Sequence, residues 1–555
     1  MMRKHVALFT SGLIAVSACG QSEQLPLAAQ EADTFFHGDV YTGNAASPTA
    51  HVIAVKDGYI TGVYTEDLAL PADDARVIDL GDAVAFPGFT DAHAHLDGIG
   101  FRELTLNLEG TSSVSDLKLR VAAEVERTAP GEVVYGRGWI ETGWPEGRFP
   151  TRYDLDEVAP DNPVILGRAD GHAAVVNSAA IALSGITDDT PDPEGGAIER
   201  DENGVATGIL IDNAENLVSG LLAAPSPERR KEALRKGAEV YANYGWTGIH
   251  SMSVNPADTE LLIQLEEEGD LPIRVYNSLT PAGLDDLAET GFWEMNDGKL
   301  VTRAIKFYVD GALGSRGALL KEPYADQPQT VGLQLITEAE AKPAYRKALA
   351  NGIQVTTHAI GDQGNTLVLD WYEEVLADHD GAPRWRIEHA QVIDPADIPR
   401  FAALGVIASM QPSHAIGDLH FAPARLGDER LRGAYAWRSL TDAGAVIAGG
   451  SDAPVERGDP MIEFYAAVGR TDLAGFQGAN WHPEEALSRE EALAIFTKNP
   501  AYAAFMENRL GTIEVGKRAD FTVLSADIMT IPEEQIPDVK AVMTIVDGKV
   551  VYDRD

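Results

Sequence analysis

Short apolar runs recur along this chain with helix-length stretches between them, and several of the runs end on a histidine or an aspartate. They cover residues 84–91, 246–252, 273–279, 303–310, 353–358, 385–390, 405–410 and 445–451. Strand-like runs alternating with helical stretches predict an α/β fold with a parallel sheet. Eight such strands are the number that closes a TIM-type (β/α)8 barrel. The stretch 117–126 fits a connecting helix: Leu117, Val121 and Val125 share one face, and Ser113 with Asp116 has the spacing of a capping box.

One interval breaks the rhythm. Residues 100–240 separate the first and second strands, far more than an ordinary βα connection needs. The interval has strand-like pieces of its own at 132–139 and 163–168. It predicts an inserted subdomain over the barrel mouth, where loops leaving the strand C-termini lie. Outside the barrel (84–505), the two chain ends share a texture. Residues 34–83 and 506–555 both carry short β-like runs, with Asp57-Gly58 and Asp547-Gly548 placed as hairpin turns. They are expected to pair into one composite β-sandwich.

The first 18 residues read as an export signal: Arg3 and Lys4, then an apolar run from Val6 to Val16 too short for a stable membrane span. The run ends Val16-Ser17-Ala18-Cys19, the pattern of a lipobox. Cys19 is the sole cysteine, so a lipid on its thiol is expected, with 19–33 as a tether. Gly20, rather than an aspartate, points to the periplasmic face of a Gram-negative outer membrane. Simple secretion is the rival. The formal charge is −42, becoming −44 when Arg3 and Lys4 leave with a segment free of Asp and Glu. So acidic a surface excludes nucleic acid as a partner and confines membrane contact to the lipid. A small molecule is the expected partner, and homo-oligomerisation stays open.

Chemistry concentrates at the strand ends. His93 and His95 follow the first run two residues apart, so an extended chain turns both to one side, where they can grip one ion. His358, His389 and Asp452 close or follow the fifth, sixth and eighth runs. Polar groups gathered at the C-terminal ends of different strands are where a barrel places its chemistry. Imidazole and carboxylate donors suit zinc or a similar divalent ion. Lys306 lies within the apolar fourth run, where a bare ammonium is costly. It is either an ion-paired or edge lysine, or an amine that adds carbon dioxide and becomes a carbamate able to bridge two cations. His172, Arg168 and Trp139 in the insertion, with His414 and Arg316 in later loops, are candidates for substrate contact. His250 ends the second run as a packed group.

Seven ordered segments resemble the amidohydrolase superfamily, in its amidohydrolase 3 branch of YtcJ-like proteins and N-substituted formamide deformylases. They are residues 87–95, 167–172, 306–311, 357–362, 387–390, 450–454 and 511–521. The resemblance implies a distorted barrel flanked by the sandwich, with two divalent metal ions, zinc the expected identity. It assigns His93, His95 and Asp452 to the more buried ion, His358 and His389 to the other, and carboxylated Lys306 between them. His172 would face substrate. Val175 stands where the branch often has tryptophan.

The expected activity is hydrolysis of a non-peptide amide-type C–N bond by hydroxide formed between the two ions, with Asp452 as proton acceptor and donor. An ester or lactone hydrolase and a small N-acyl peptidase are alternatives on the same site. A catalytically inactive, lipid-anchored binding protein is the alternative of another kind. Deamination is disfavoured, because Ala359-Ile360-Gly361 follows His358 without the glutamate that such enzymes place there.

Overall fold

The computed structural model describes residues 31–68, 70, 75–141, 143–169, 171, 173–193, 196–222 and 224–554. The export signal, Cys19, most of the tether and His172 lie outside the described residues. Among those described, no helix is long and apolar enough to cross a membrane.

Eight parallel strands form the central barrel: Phe89–Ala94, Trp246–Val254, Arg274–Leu279, Leu300–Tyr308, Gln354–Ala359, Arg386–His389, Ile407–Met410 and Ile447–Gly449. They pair in that order from first to eighth. The seam between the eighth and first strands is bridged by the chain just past Gly449. There Asp452 N donates to His93 O at 2.6 Å, and Ser451 N to Asp91 Oδ1 at 3.0 Å. The strands are apolar on the face turned to the helices, and one large core runs between them. A parallel sheet covered by helices requires such burial.

The first run divides in a way its sequence does not announce. Instead of one strand over 84–91, Arg76–Pro87 belongs to another sheet and Phe89–Ala94 to the barrel. Pro87 has no N–H to continue a ladder. At Gly88 an added Cβ would lie 2.3 Å from Thr247 Oγ1, so only glycine lets the chain pass between the sheets. That other sheet has seven strands drawn from both chain ends, with Phe521–Leu524 against Arg76–Pro87 at its centre. Phe36, Ile53, Phe521 and Ile545 bury one face together. Both Asp-Gly pairs are tight hairpin turns, with φ of 52° and 79° at Asp57 and Gly58 and 54° and 71° at Asp547 and Gly548.

A six-stranded sheet with its own core lies between the first and second barrel strands. Its helix Val114–Val125 begins earlier than the sequence suggests. Ser113 caps it through Asp116 N, but the Asp116 carboxylate accepts from Ser112 N (3.1 Å), so the capping box is only half formed. Helices Leu96–Leu104 and Pro227–Tyr244 carry the chain into and out of this unit. They cross backbone to backbone: a Cβ on Gly100 would stand 1.7 Å from Ala233 O, and one on Gly237 2.2 Å from Leu96 O.

Candidate metal centre

Alternate residues of a strand share a face. His93 and His95 therefore turn inward from the first strand, while Ala92 and Ala94 pack into apolar clusters. The two imidazoles meet one carboxylate oxygen: Asp452 Oδ1 is 3.1 Å from His95 Nε2 and 3.4 Å from His93 Nε2. Asp452 reaches this position from a left-handed backbone, φ 59°, just past the eighth strand.

Its other oxygen, Oδ2, lies 3.7 Å from His414 Nε2. His414 stacks on His389, the ring centroids 6.0 Å apart and the planes 18° from parallel. His389 also leaves its strand with positive φ, 76°. Such backbone in a residue other than glycine costs about 1–3 kcal/mol and is held by its surroundings. The donor atoms of His93, His95 and Asp452 lie within 4.8 Å of one another, as do those of His389, His414 and Asp452. Both sets have the chemistry and spacing to hold a divalent ion. His414 Nε2 is buried without a hydrogen-bond partner among the described residues, the kind of orphaned nitrogen that a metal satisfies.

The electrostatics suit ligation. Burial, assisted by nearby Lys306, pushes His93 down to about 4. Burial also holds His389 well below the usual imidazole range and lowers His414. Neutral rings offer the lone pair that a metal needs. Burial alone would raise Asp452, but His93, His95 and His389 outweigh it and hold the carboxyl well below its ordinary range.

Lys306 is 1% exposed on the fourth strand. Its Nζ is 3.3 Å from His93 Nε2 and 5.0 Å from the centre of the Tyr308 ring, and it forms no ion pair among the described residues. Burial lowers it to about 8. His358 stands beside the second set rather than within it. Its ring centroid is 4.5 Å from that of His389, but Nε2 faces Asp310 Oδ1 at 3.4 Å and Gly311 O at 3.5 Å. His414, read from the sequence as a substrate contact, lies in the second set, because the helix Pro412–Asp418 carries it over the barrel mouth.

The remaining substrate candidates separate by environment. Trp139 is fully buried in the insertion's core, its Nε1 donating to Leu166 O at 2.8 Å, so it shapes that unit and does not face a substrate. Arg168 pairs with Glu141 at 2.8 Å. Arg316 pairs with Asp326 at 2.9 Å on the loop after the fourth strand. His250 accepts from Arg386 Nη1 at 2.9 Å beneath the cluster.

That contact belongs to a buried row that the sequence reading missed. Arg386 and Glu388 share the inner face of the sixth strand, with Ile387 on the outer one. Glu388 Oε2 accepts from His93 Nδ1 at 2.5 Å, and Arg386 reaches Glu388, Ala92 O and Ser409 Oγ. The bond fixes the His93 proton on Nδ1 and leaves Nε2 free as a donor. Two charged residues flanking an isoleucine in a buried strand were the available signal. Asp91 was the other omission: it accepts from Ser451, His93 and Tyr241 and so ties the seam that positions His93 and Asp452.

Residues 76–552 match the Amidohydrolase family. The chain is 35% identical over 532 residues to the putative amidohydrolase YtcJ of Bacillus subtilis, covering 93% of this chain and 98% of that protein. It is 31% identical over 541 residues to an N-substituted formamide deformylase of Arthrobacter pascens, covering 93% and 98%. In structure it is similar to an uncharacterized metal-dependent hydrolase from Pyrococcus horikoshii. That likeness has a TM-score of 0.74 at 27% identity and covers 90% of this chain and 99% of that one. Near-complete coverage, together with two ligand sets at the barrel mouth, shows that this chain belongs to the amidohydrolase family and is a hydrolase of carbon–nitrogen bonds.

Proposed function

We propose that the protein hydrolyses a non-peptide amide-type C–N bond of a small molecule at a centre of two divalent ions, zinc by the character of the donors. One observation carries this reading: Asp452 presents Oδ1 to His93 and His95 and Oδ2 to His414 beside His389. Held by these side chains, such ions would supply an acidified water and a Lewis acid for the substrate carbonyl. Asp452, held ionised, accepts the proton and returns it to the leaving nitrogen. Glu388 keeps the His93 ring oriented throughout. Lys306 is carboxylated in this reading: its neutral amine adds carbon dioxide and sheds a proton, which puts two oxygens and a negative charge where an unpaired lysine faces His93. We further propose export and anchoring through lipid on Cys19; Cys19→Ser should release the protein from the membrane fraction, and unchanged fractionation overturns that.

The test is metal analysis joined to hydrolysis of a panel of N-substituted formamides, N-acyl amines, esters and lactones, with and without chelator. The expected result is two ions per chain and amide hydrolysis that chelation abolishes and zinc restores. Protein that retains no metal, or hydrolysis indifferent to chelation, overturns the reading.

A further inference from the structure

Beside the histidine cluster is a cavity of about 500 Å³, walled by Asn107, Arg137 and Ile140 of the insertion and by Ile416, Val455 and Ile462 of the barrel's last loops. His414 links the two places, with Nε2 between Asp452 Oδ2 (3.7 Å) and Glu456 Oε1 (3.9 Å). Glu456 lines the cavity, and so does Glu463, which is fully buried on the helix Pro460–Gly469. Glu463 Oε2 accepts from Ser413 N at 2.9 Å, whereas Oε1 has no partner among the described residues. Ser413 Oγ, on the same wall, has none among them either.

Three of the other wall charges lie in ion pairs with carboxylates or imidazole, and Arg137 donates to a carbonyl. Arg457 pairs with Glu109 at 2.8 Å, Arg102 with Glu103 at 3.0 Å, and Asp472 with His420 at 3.0 Å. Arg137, on the insertion side, donates to Ala169 O at 3.2 Å. Neither Glu456 nor Glu463 forms an ion pair with an arginine or lysine among the described residues. Ile140, Val455 and Leu473 give the wall exposed apolar surface.

We propose that this cavity is the enzyme's recognition subsite, and that Glu463 with Glu456 binds a protonated amine carried by an otherwise apolar substrate. The proposal rests on the hydrolase reading above. A buried carboxylate with an unpaired oxygen beside a second carboxylate is costly, and an ammonium group with its three donors removes that cost. An anion would oppose ionisation of either carboxyl, and a neutral group would leave Glu463 Oε1 without a charged partner. Burial, with Glu456 beside it, holds the Glu463 carboxyl well above its ordinary range, and it is an arriving ammonium group that favours the ionised form. A charge-assisted hydrogen bond of this kind is worth about 10–100-fold in recognition.

The test compares three acetamides of similar length on the metal-loaded enzyme: N-acetyl-1,5-diaminopentane (cationic), N-hexylacetamide (neutral) and 6-acetamidohexanoate (anionic). The cationic compound should exceed the other two at least about tenfold in kcat/KM. Glu463→Gln should reduce that ratio by about tenfold, chiefly through KM, and Glu456→Gln should reduce it less. Equal rates, or preference for the anion, overturn the proposal. Calorimetry with hexylammonium against 1-hexanol reads the subsite without turnover. Selective binding of hexylammonium supports it even if no amide is cleaved, a result that would sink the hydrolase reading alone. Absence of that selectivity overturns the subsite even if amides are hydrolysed. Should Glu463→Gln fail to fold, as judged by circular dichroism, the wild-type comparisons and Glu456→Gln still decide.

Discussion

Replacing Glu388 with glutamine removes one charge from a fully buried polar row beneath the metal-binding side chains. The carboxylate accepts from His93 Nδ1 at 2.5 Å and pairs with Arg386 at 2.7 Å, and both partners are themselves buried. At an effective dielectric of about 20, two unit charges about 4 Å apart attract by about 4 kcal/mol. Removing one member of a buried pair costs about 3–5 kcal/mol, because the partner stays desolvated. Arg386 keeps Ala92 O at 2.6 Å and Ser409 Oγ at 2.7 Å, so the loss should fall at the lower end, about 3 kcal/mol. Ligation suffers for a separate reason. The glutamine oxygen will turn to the Arg386 donors and its amide to His93, which moves the imidazole proton to Nε2 and blocks the nitrogen nearest Asp452. Metal affinity should fall about 10–100-fold. Chelator competition measures the affinity, and chemical denaturation of the metal-free protein measures the stability. A Glu388→Gln protein within about twofold of wild type in affinity and within about 1 kcal/mol in stability refutes the reasoning.

Three further outcomes follow from other parts of the molecule. Gly100→Val should destabilise the protein by at least about 1–3 kcal/mol and weaken metal binding, because the new side chain meets Ala233 O of the crossing helix and Gly100's own helix begins next to His95; an unchanged melting temperature refutes it. Lys306→Ala should lower the metal content, and labelling with ¹³C-bicarbonate should give a carbamate carbonyl signal in wild type that the variant lacks. Asp418 is pushed up to about 7 by burial, with Tyr435 Oη donating to it at 2.6 Å. A raised carboxyl stabilises the fold below its unfolded pKa of about 3.9, and that contribution is lost as pH climbs through about 7. Asp418→Asn should therefore gain stability relative to wild type between pH 4 and 7, by up to about 1.4 kcal/mol per pH unit. Parallel pH–stability curves for the two proteins refute it.

The eight barrel strands were legible because each is a short apolar run between helical stretches, a pattern that burial on both faces imposes on the amino-acid order itself. The pair His93 and His95 was legible for a similar reason, since a strand's period of two puts both on one side whatever surrounds it. Asp57-Gly58 and Asp547-Gly548 announced their hairpins because few residues tolerate φ above zero. All of these depend on neighbours in sequence. Contacts between distant segments were not written that way. His414 joins His389 and Asp452 because a helix tips it over the mouth, and nothing in Gln411-Pro412-Ser413 states that direction. Trp139 turned into the insertion's core although its chemistry suited a substrate wall. The Glu388–His93 bond joins residues 295 positions apart, and the single strand expected over 84–91 split at Gly88 only because Thr247 crosses there. Local periodicity, a property of the covalent chain, thus determined the elements and the donors. Which donors converge, and on what buried charge they rest, was decided by long-range packing, where distance in sequence no longer reports distance in space.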